Sequence, residues 1–247
     1  KRFSDNIIRY YEYVRENDLC LTHTFGHPQV NRAVPISDLP DPYVALGAVD
    51  TNSEGIIVRG AKLLATLAPF SDEIFSPVYR PLRPDAEEDK KYCIGFAIPV
   101  NTPGLKFICR QSYDRGDSLY DYPLSGQYDE MDALAVFDDV LIPWDRVFAY
   151  EDIELANHTL QEVAMWRHYM QQVAVKSIAK LEFILGITHG IAEGIGITGF
   201  GHVQEKISEI IDTLETVRSY MRAAEADAGP FLGEGIWPAP EPWIAMR

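Results

Sequence analysis

The run Leu21-Thr22-His23-Thr24-Phe25 continues into Gly26-His27-Pro28-Gln29-Val30-Asn31-Arg32, which sets an imidazole beside hydroxyls, amides and a guanidinium. Side chains alternate along a strand, so His23 shares a face with Leu21 and Phe25 while Thr22 and Thr24 point the opposite way. An imidazole between apolar neighbours is either a hydrogen-bonded core residue or a proton acceptor in a dry pocket. The polar loop formed by Pro28, Gln29, Asn31 and Arg32 favours the second reading, because such donors suit a polar heterocycle or a diphosphate. A second stretch, Gly60-Ala-Lys-Leu-Leu-Ala-Thr66-Leu-Ala-Pro69, carries Thr66 as its one side-chain hydroxyl. That hydroxyl either bonds back to a carbonyl four residues earlier in a helix or reaches a cofactor ring.

Other chemistries find less support. Gly194-Ile-Gly196-Ile-Thr-Gly199 spells GxGxxG, but the motif binds dinucleotides only between a strand and a helix start. Here a helical pattern precedes it, so the glycines are expected to end one helix and turn into the next. His23 and His27 are four apart, which separates them on a strand, and His168, His189 and His202 lack an HExxH or carboxylate pattern. No metal is therefore expected. Neither a GxSxG elbow nor a Walker loop is present.

The elements that position these residues follow from periodicity. Residues 3–17 place Ile7, Ile8, Tyr11 and Val14 at helical spacing. Strand-like runs follow at 19–25, 44–49, 55–59, 92–99, 105–110 and 133–141, separated by turn chemistry, with one short helix expected at 61–67 before Pro69. Beyond Tyr150 the pattern turns helical, over 153–196 and again from about His202 to Asp227. In the second helix Ile207, Ile210, Leu214, Val217 and Met221 form a heptad-like seam, for packing inside a bundle or for a subunit interface. Gly186, Gly190 and Gly194 share one helix face, where small residues let another helix approach. Strands first and long helices after make the fold class α+β. The expected domains are 1–18, the end of a helical domain; 19–150, a β domain with the pocket; and 151–247, an incomplete helical bundle.

The 247 residues carry a formal charge of −15. A field of that sign repels phosphate backbones and anionic membranes, so neither nucleic acid nor membrane is an expected partner. Cys20, Cys93 and Cys109 are odd in number and form no CxxC pair, and buried thiols in a reducing cytoplasm are expected. The chain opens on Lys1-Arg2 and closes on Trp243-Ile-Ala-Met-Arg247, and it reads as a fragment.

Three long segments resemble one family in order. Asp18-Leu-Cys-Leu-Thr-His-Thr-Phe-Gly-His-Pro-Gln-Val-Asn-Arg32, Gly60 to Pro69, and Phe137-Asp-Asp-Val-Leu-Ile-Pro-Trp-Asp-Arg-Val-Phe148 are similar to the oxygenase component of 4-hydroxyphenylacetate 3-monooxygenases, and the last also to acyl-CoA dehydrogenase-like folds. The resemblance implies an acyl-CoA dehydrogenase-like architecture, a β-barrel-like middle domain followed by a C-terminal bundle that tetramerises. It implies a phenol hydroxylated ortho to its hydroxyl by reduced FAD and O2 through a C4a-hydroperoxyflavin. The FAD would be reduced by a separate NAD(P)H-flavin reductase. It further implies that His23 is catalytic, accepting the phenol proton, and that His23, Thr24, Gln29, Val30, Asn31, Arg32 and Thr66 contact FAD. Ser76 and Tyr79 are candidates, with His23, for the substrate. A family arginine and tyrosine that grip the substrate would lie upstream of Lys1, and an FAD-contacting segment beyond Arg247.

Two alternatives accompany this reading. A truncated chain could act only as an oligomerising or binding remnant. A 4-hydroxybutyryl-CoA dehydratase-like enzyme would need a cysteine seven residues after a helix histidine, but Val175 follows His168 and no cysteine follows Cys109.

Overall fold

Helix α1, Arg2–Asn17, turns Asn6 and Tyr10 into the protein and leaves Ile7, Ile8 and Tyr11 exposed. The Asn6 amide donates to the carbonyls of Trp144 at 2.7 Å and Val147 at 2.8 Å, which fixes the helix against the strands that follow. This computed structural model describes residues 2–78, 82–162, 165–231 and 233–239. It divides into two compact units, 1–157 and 158–247.

The first unit holds two four-stranded sheets. One runs β1 (Leu21–His23), β4 (Glu73–Ser76), β5 (Ile94–Pro99), β8 (Val147–Tyr150); the other runs β2 (Gly47–Thr51), β3 (Gly55–Thr66), β7 (Asp132–Pro143), β6 (Leu105–Cys109). Only the β1–β4 pair is parallel; the remaining pairs in these sheets are antiparallel. Ile56, Val58, Ile74, Phe96, Ile98, Phe137, Val140 and Ile142 fill the core, each at most 1% exposed. Burial of each such side chain contributes roughly 1.5–3 kcal/mol.

The stretch expected as a helix at 61–67 is strand instead. β3 continues to Thr66, pairing Ala61 with Val136, Lys62 with Ala135 and Thr66 with Asp132. Ala, Lys and Leu are good helix formers, but pairing with a long neighbouring strand overrides that weak preference. Two bulges interrupt the β3–β7 ladder. On β7 the extra residue carries Asp139 at φ 51°, and Arg59 clamps its carboxylate at 2.7 and 2.6 Å. On β3 it carries Leu64 at φ 61°. Before that bulge Ile56, Val58 and Lys62 point inward; after it Ala65 points inward and Thr66 emerges on the other face.

The cysteines are a partial correction. Cys93 is buried, but Cys20 and Cys109 are exposed. The exposed pair flank or end the edge strands β1 and β6, which among the described residues pair with a strand on one side only. Burial pushes the Cys93 thiol up to about 12.

Helix α2, Ile153–Glu162, spans the junction of the two units. In the second unit α3 (Met165–Gly194) packs on α4 (Gly201–Ala226) around Ala174 and Ala224. Of the seam, Leu214 and Val217 are buried, as helix-to-helix packing requires. The GxGxxG spelling lies at the turn between these helices, where Gly196 takes φ 71° and the Ile197 amide donates back to Ala192. An added Cβ at Gly186, Gly190 or Gly194 would meet nothing within 4 Å, so no described helix crosses that face. A hairpin, β9 (Gly229–Phe231) and β10 (Glu234–Trp237), follows where no strand was expected. Among the described residues no helix is long and apolar enough to cross a membrane.

Candidate active site

His23 ends β1, opposite Phe75 of the parallel strand β4, with Thr22 opposite Ile74. Thr22 and Thr24 are buried, while Leu21 and His23 are exposed. The expected alternation is present, but the threonines enter the core and the imidazole faces outward. The threonines tolerate burial because each hydroxyl finds a carbonyl: Thr22 donates to Thr66 at 2.6 Å and Thr24 donates to Leu63 at 2.7 Å. The His23 ring stands edge-on to Phe25, 4.6 Å between centroids.

A cavity of about 510 Å³ opens beside His23. Leu21, Thr22, His23, Thr66 and Phe75 form one wall, and Ile7, Tyr10, Tyr11 and Val14 of α1 form the other. The apolar stripe read from residues 7, 11 and 14 thus faces this cavity instead of the core. His23 and Thr66, 43 residues apart in sequence, meet here because Thr66 follows the β3 bulge.

Thr66 is held from behind. Its Oγ1 donates to Asp132 Oδ1 at 2.6 Å, across the β3–β7 pair. The other carboxylate oxygen of Asp132 lies 3.8 Å from Arg110 Nε, and Arg110 pairs with Asp129 at 2.5 Å.

A second polar group backs the α1 wall. Glu73, 2% exposed, accepts two bonds from Arg146 Nη1 at 3.0 and 2.7 Å. Arg146 also lies 5.4 Å from the Tyr10 ring centre and 4.9 Å from that of Tyr13. Burial and then the Glu73 charge raise the Tyr10 phenol above its ordinary pKa, so it keeps its proton. Its hydroxyl is buried without a hydrogen bond of ordinary geometry, although Glu73 stands near. Deeper still, the fully buried Lys62 donates from Nζ to the Pro77 carbonyl at 2.6 Å, and burial lowers it to about 7.

The other expected site residues are placed apart from the cavity. Gln29, Val30, Asn31 and Arg32 lie on an exposed loop in which Asn31 Oδ1 accepts from the Ala33 amide. Thr24 and Ser76 are both fully buried, and Ser76 shares the core side of β4 with Ile74. Tyr79 lies outside the described residues. Asp132, Tyr10 and Phe75 were missed by sequence reasoning; only the helical spacing of residues 7, 11 and 14 hinted at the α1 wall. Among the described residues no group of three or more His, Cys, Asp or Glu is placed to hold a metal ion. What the cavity offers is a largely apolar lining that includes an imidazole and the residue Thr66.

Known proteins are similar to this chain in sequence and fold. Residues 1–149 match the family described as 4-hydroxyphenylacetate 3-hydroxylase, N terminal, and residues 156–247 match its C-terminal counterpart. The 4-hydroxyphenylacetate 3-monooxygenase oxygenase component of Thermus thermophilus is 45% identical over 226 residues, covering 92% of this chain and 46% of that protein. A crystal structure of the oxygenase component of 4-hydroxyphenylacetate 3-monooxygenase, complexed with FAD and 4-hydroxyphenylacetate, superposes with a TM-score of 0.88 at 42% identity. It covers 98% of this chain and 50% of that one, so the chain spans about half the length of the relatives it matches. A probable acyl-CoA dehydrogenase from Mycobacterium abscessus shares the fold alone, with a TM-score of 0.56 at 16% identity, covering 89% of this chain and 52% of that one. With an α+β fold of acyl-CoA dehydrogenase type and family matches along nearly its whole length, the chain belongs to the 4-hydroxyphenylacetate 3-hydroxylase family.

Proposed function

We propose that this chain carries the flavin and phenol pocket of an oxygenase component that hydroxylates a phenol of the 4-hydroxyphenylacetate type ortho to its hydroxyl. The observation that carries the reading is the convergence of His23 and Thr66 on one apolar cavity. Its volume of about 510 Å³ suits a fused aromatic ring system or a small phenol. FAD, reduced by a separate NAD(P)H-dependent reductase, supplies two electrons that activate O2, one oxygen atom entering the phenol ring and the other leaving as water.

The chain's own residues do the rest. His23 accepts the phenol proton, which makes the ring carbon ortho to it more electron-rich. Leu21, Phe75, Ile7 and Tyr11 exclude water, which would otherwise divert the oxidant to free peroxide. Thr66 would hydrogen-bond the flavin ring. The exposed loop with Gln29, Val30, Asn31 and Arg32 has donors for the polar part of FAD. Tyr79, outside the described residues, stays the substrate-side candidate of the sequence reading, while the buried side chains of Thr24 and Ser76 stand apart from the cavity. The assembly proposed is a homotetramer working in the cytoplasm.

The test supplies chemically reduced FAD, air and 4-hydroxyphenylacetate to the chain and assays for the catechol. Product is the expected result, with His23→Ala lowering its rate by about a hundredfold. Peroxide without catechol would identify a flavin-binding remnant without hydroxylase activity. Undiminished turnover by His23→Ala would remove His23 from the reaction.

A further inference from the structure

The hydroxyls of Thr22, Thr24 and Thr66 are all committed as donors. Thr22 must be the donor to the Thr66 carbonyl, and Thr24 the donor to the Leu63 carbonyl, because a carbonyl has no proton to give. The same holds for Thr66, which donates to a carboxylate oxygen of Asp132. A hydroxyl has one proton. With that proton committed to Asp132 at 2.6 Å, the Thr66 oxygen has only lone pairs to present to the cavity it lines.

We propose that Asp132 is a positioning residue that fixes Thr66 as a hydrogen-bond acceptor and thereby makes the pocket select the reduced over the oxidised flavin ring. The inference rests on the flavin reading of the cavity given above. A reduced flavin ring carries an N–H donor at a position where the oxidised ring carries a bare acceptor nitrogen. An acceptor-only hydroxyl bonds the first and leaves the second facing lone pair to lone pair. The carboxylate is itself held: Arg110 Nε lies 3.8 Å from Asp132 Oδ2, the Arg110 amide donates to the Asp132 carbonyl at 3.1 Å, and Arg110 pairs with Asp129. The long excursion between β6 and β7 is thus tied at its base to the residue that orients Thr66.

The experiment measures binding of oxidised FAD and of dithionite-reduced FAD, the latter without oxygen, to the 247-residue chain and four variants. The native chain is expected to bind the reduced form about tenfold more tightly, the ratio set by one ordinary hydrogen bond. Asp132→Ala frees the hydroxyl to rotate, so the ratio falls about fivefold, through tighter binding of the oxidised form. Thr66→Val lowers the ratio by weakening the reduced form, whereas Thr66→Ser, which keeps the hydroxyl and the fold, retains it. The double variant matches Thr66→Val alone, because Asp132 has no hydroxyl left to orient. An unchanged ratio in Asp132→Ala, or an effect of Asp132→Ala that persists beside Thr66→Val, would overturn the proposal. Equal affinity of the native chain for both forms would overturn it while leaving the flavin reading standing. Failure to bind either form would overturn both.

Discussion

Replacing Lys62 by methionine isolates the energetic consequence of the most deeply buried cation described. Lys62 is 2% exposed, and among the described residues its ammonium meets one acceptor, the Pro77 carbonyl. Burial lowers it from 10.5 to about 7. Each tenfold in proton affinity is about 1.4 kcal/mol, so the gap corresponds to about 5 kcal/mol over the whole titration. Between pH 6.5 and 10 about 4 kcal/mol of it is titrated. The sign follows from proton counts. Between about pH 7 and 10.5 the unfolded chain holds a proton on Lys62 that the folded chain has released, so stability rises with pH across that window. Below pH 7 both states are protonated, and the contribution present above pH 10.5 has been lost. Methionine has a similar volume and no proton, so Lys62→Met should show no such slope. Urea unfolding at pH 6.5, 8.5 and 10, read by tryptophan fluorescence, compares the two proteins, with Trp144 packed against the β core as the reporter. The stability difference between them should shift by about 4 kcal/mol across the series, the native chain gaining as pH rises. Parallel curves would refute the argument.

Arg146→Ala removes the partner of a carboxylate that is almost wholly buried, and should cost about 3 kcal/mol in urea unfolding. The double variant Glu73→Gln/Arg146→Ala should recover part of that loss, since no buried charge is then left alone. Under native conditions a thiol reagent should modify Cys20 and Cys109 rapidly and spare Cys93 until the chain unfolds, and mass spectrometry of the labelled peptides reads this directly.

Much of this fold is legible from local pattern. The seam from Ile207 to Met221 announces a helix that packs on another, and the turn-bounded apolar runs announce most strands of the β unit. The failures have a common cause. β4 and β8 are four residues each and too short to show a period, and the 61–67 segment is strand only because β7 lies alongside it. The candidate site divides in the same way. His23 and Thr66 are conspicuous polar residues in apolar runs, so sequence finds them. Asp132 is 66 residues from Thr66, and their contact is a product of strand register, which local pattern does not encode. Ile7, Tyr11 and Val14 stand at helical spacing in the sequence and line the cavity, because Asn6 rather than the isoleucines is anchored against β8.

The bulge at Leu64 limits how this segment can vary. Swapping the side chain at position 64, which is 67% exposed, leaves the chain length unchanged, and glycine there would relieve the left-handed backbone. Deleting the same residue is a different event. Lys62, Leu63, Ala65 and Thr66 would then alternate regularly, so Ala65 stays inward, Thr66 keeps its face, and only the kink of the bulge is lost. Flattening the bulge with Leu64 retained would instead carry Thr66 into the hydrocarbon interior, so the left-handed backbone at position 64, more than the residue count, keeps the hydroxyl on the pocket.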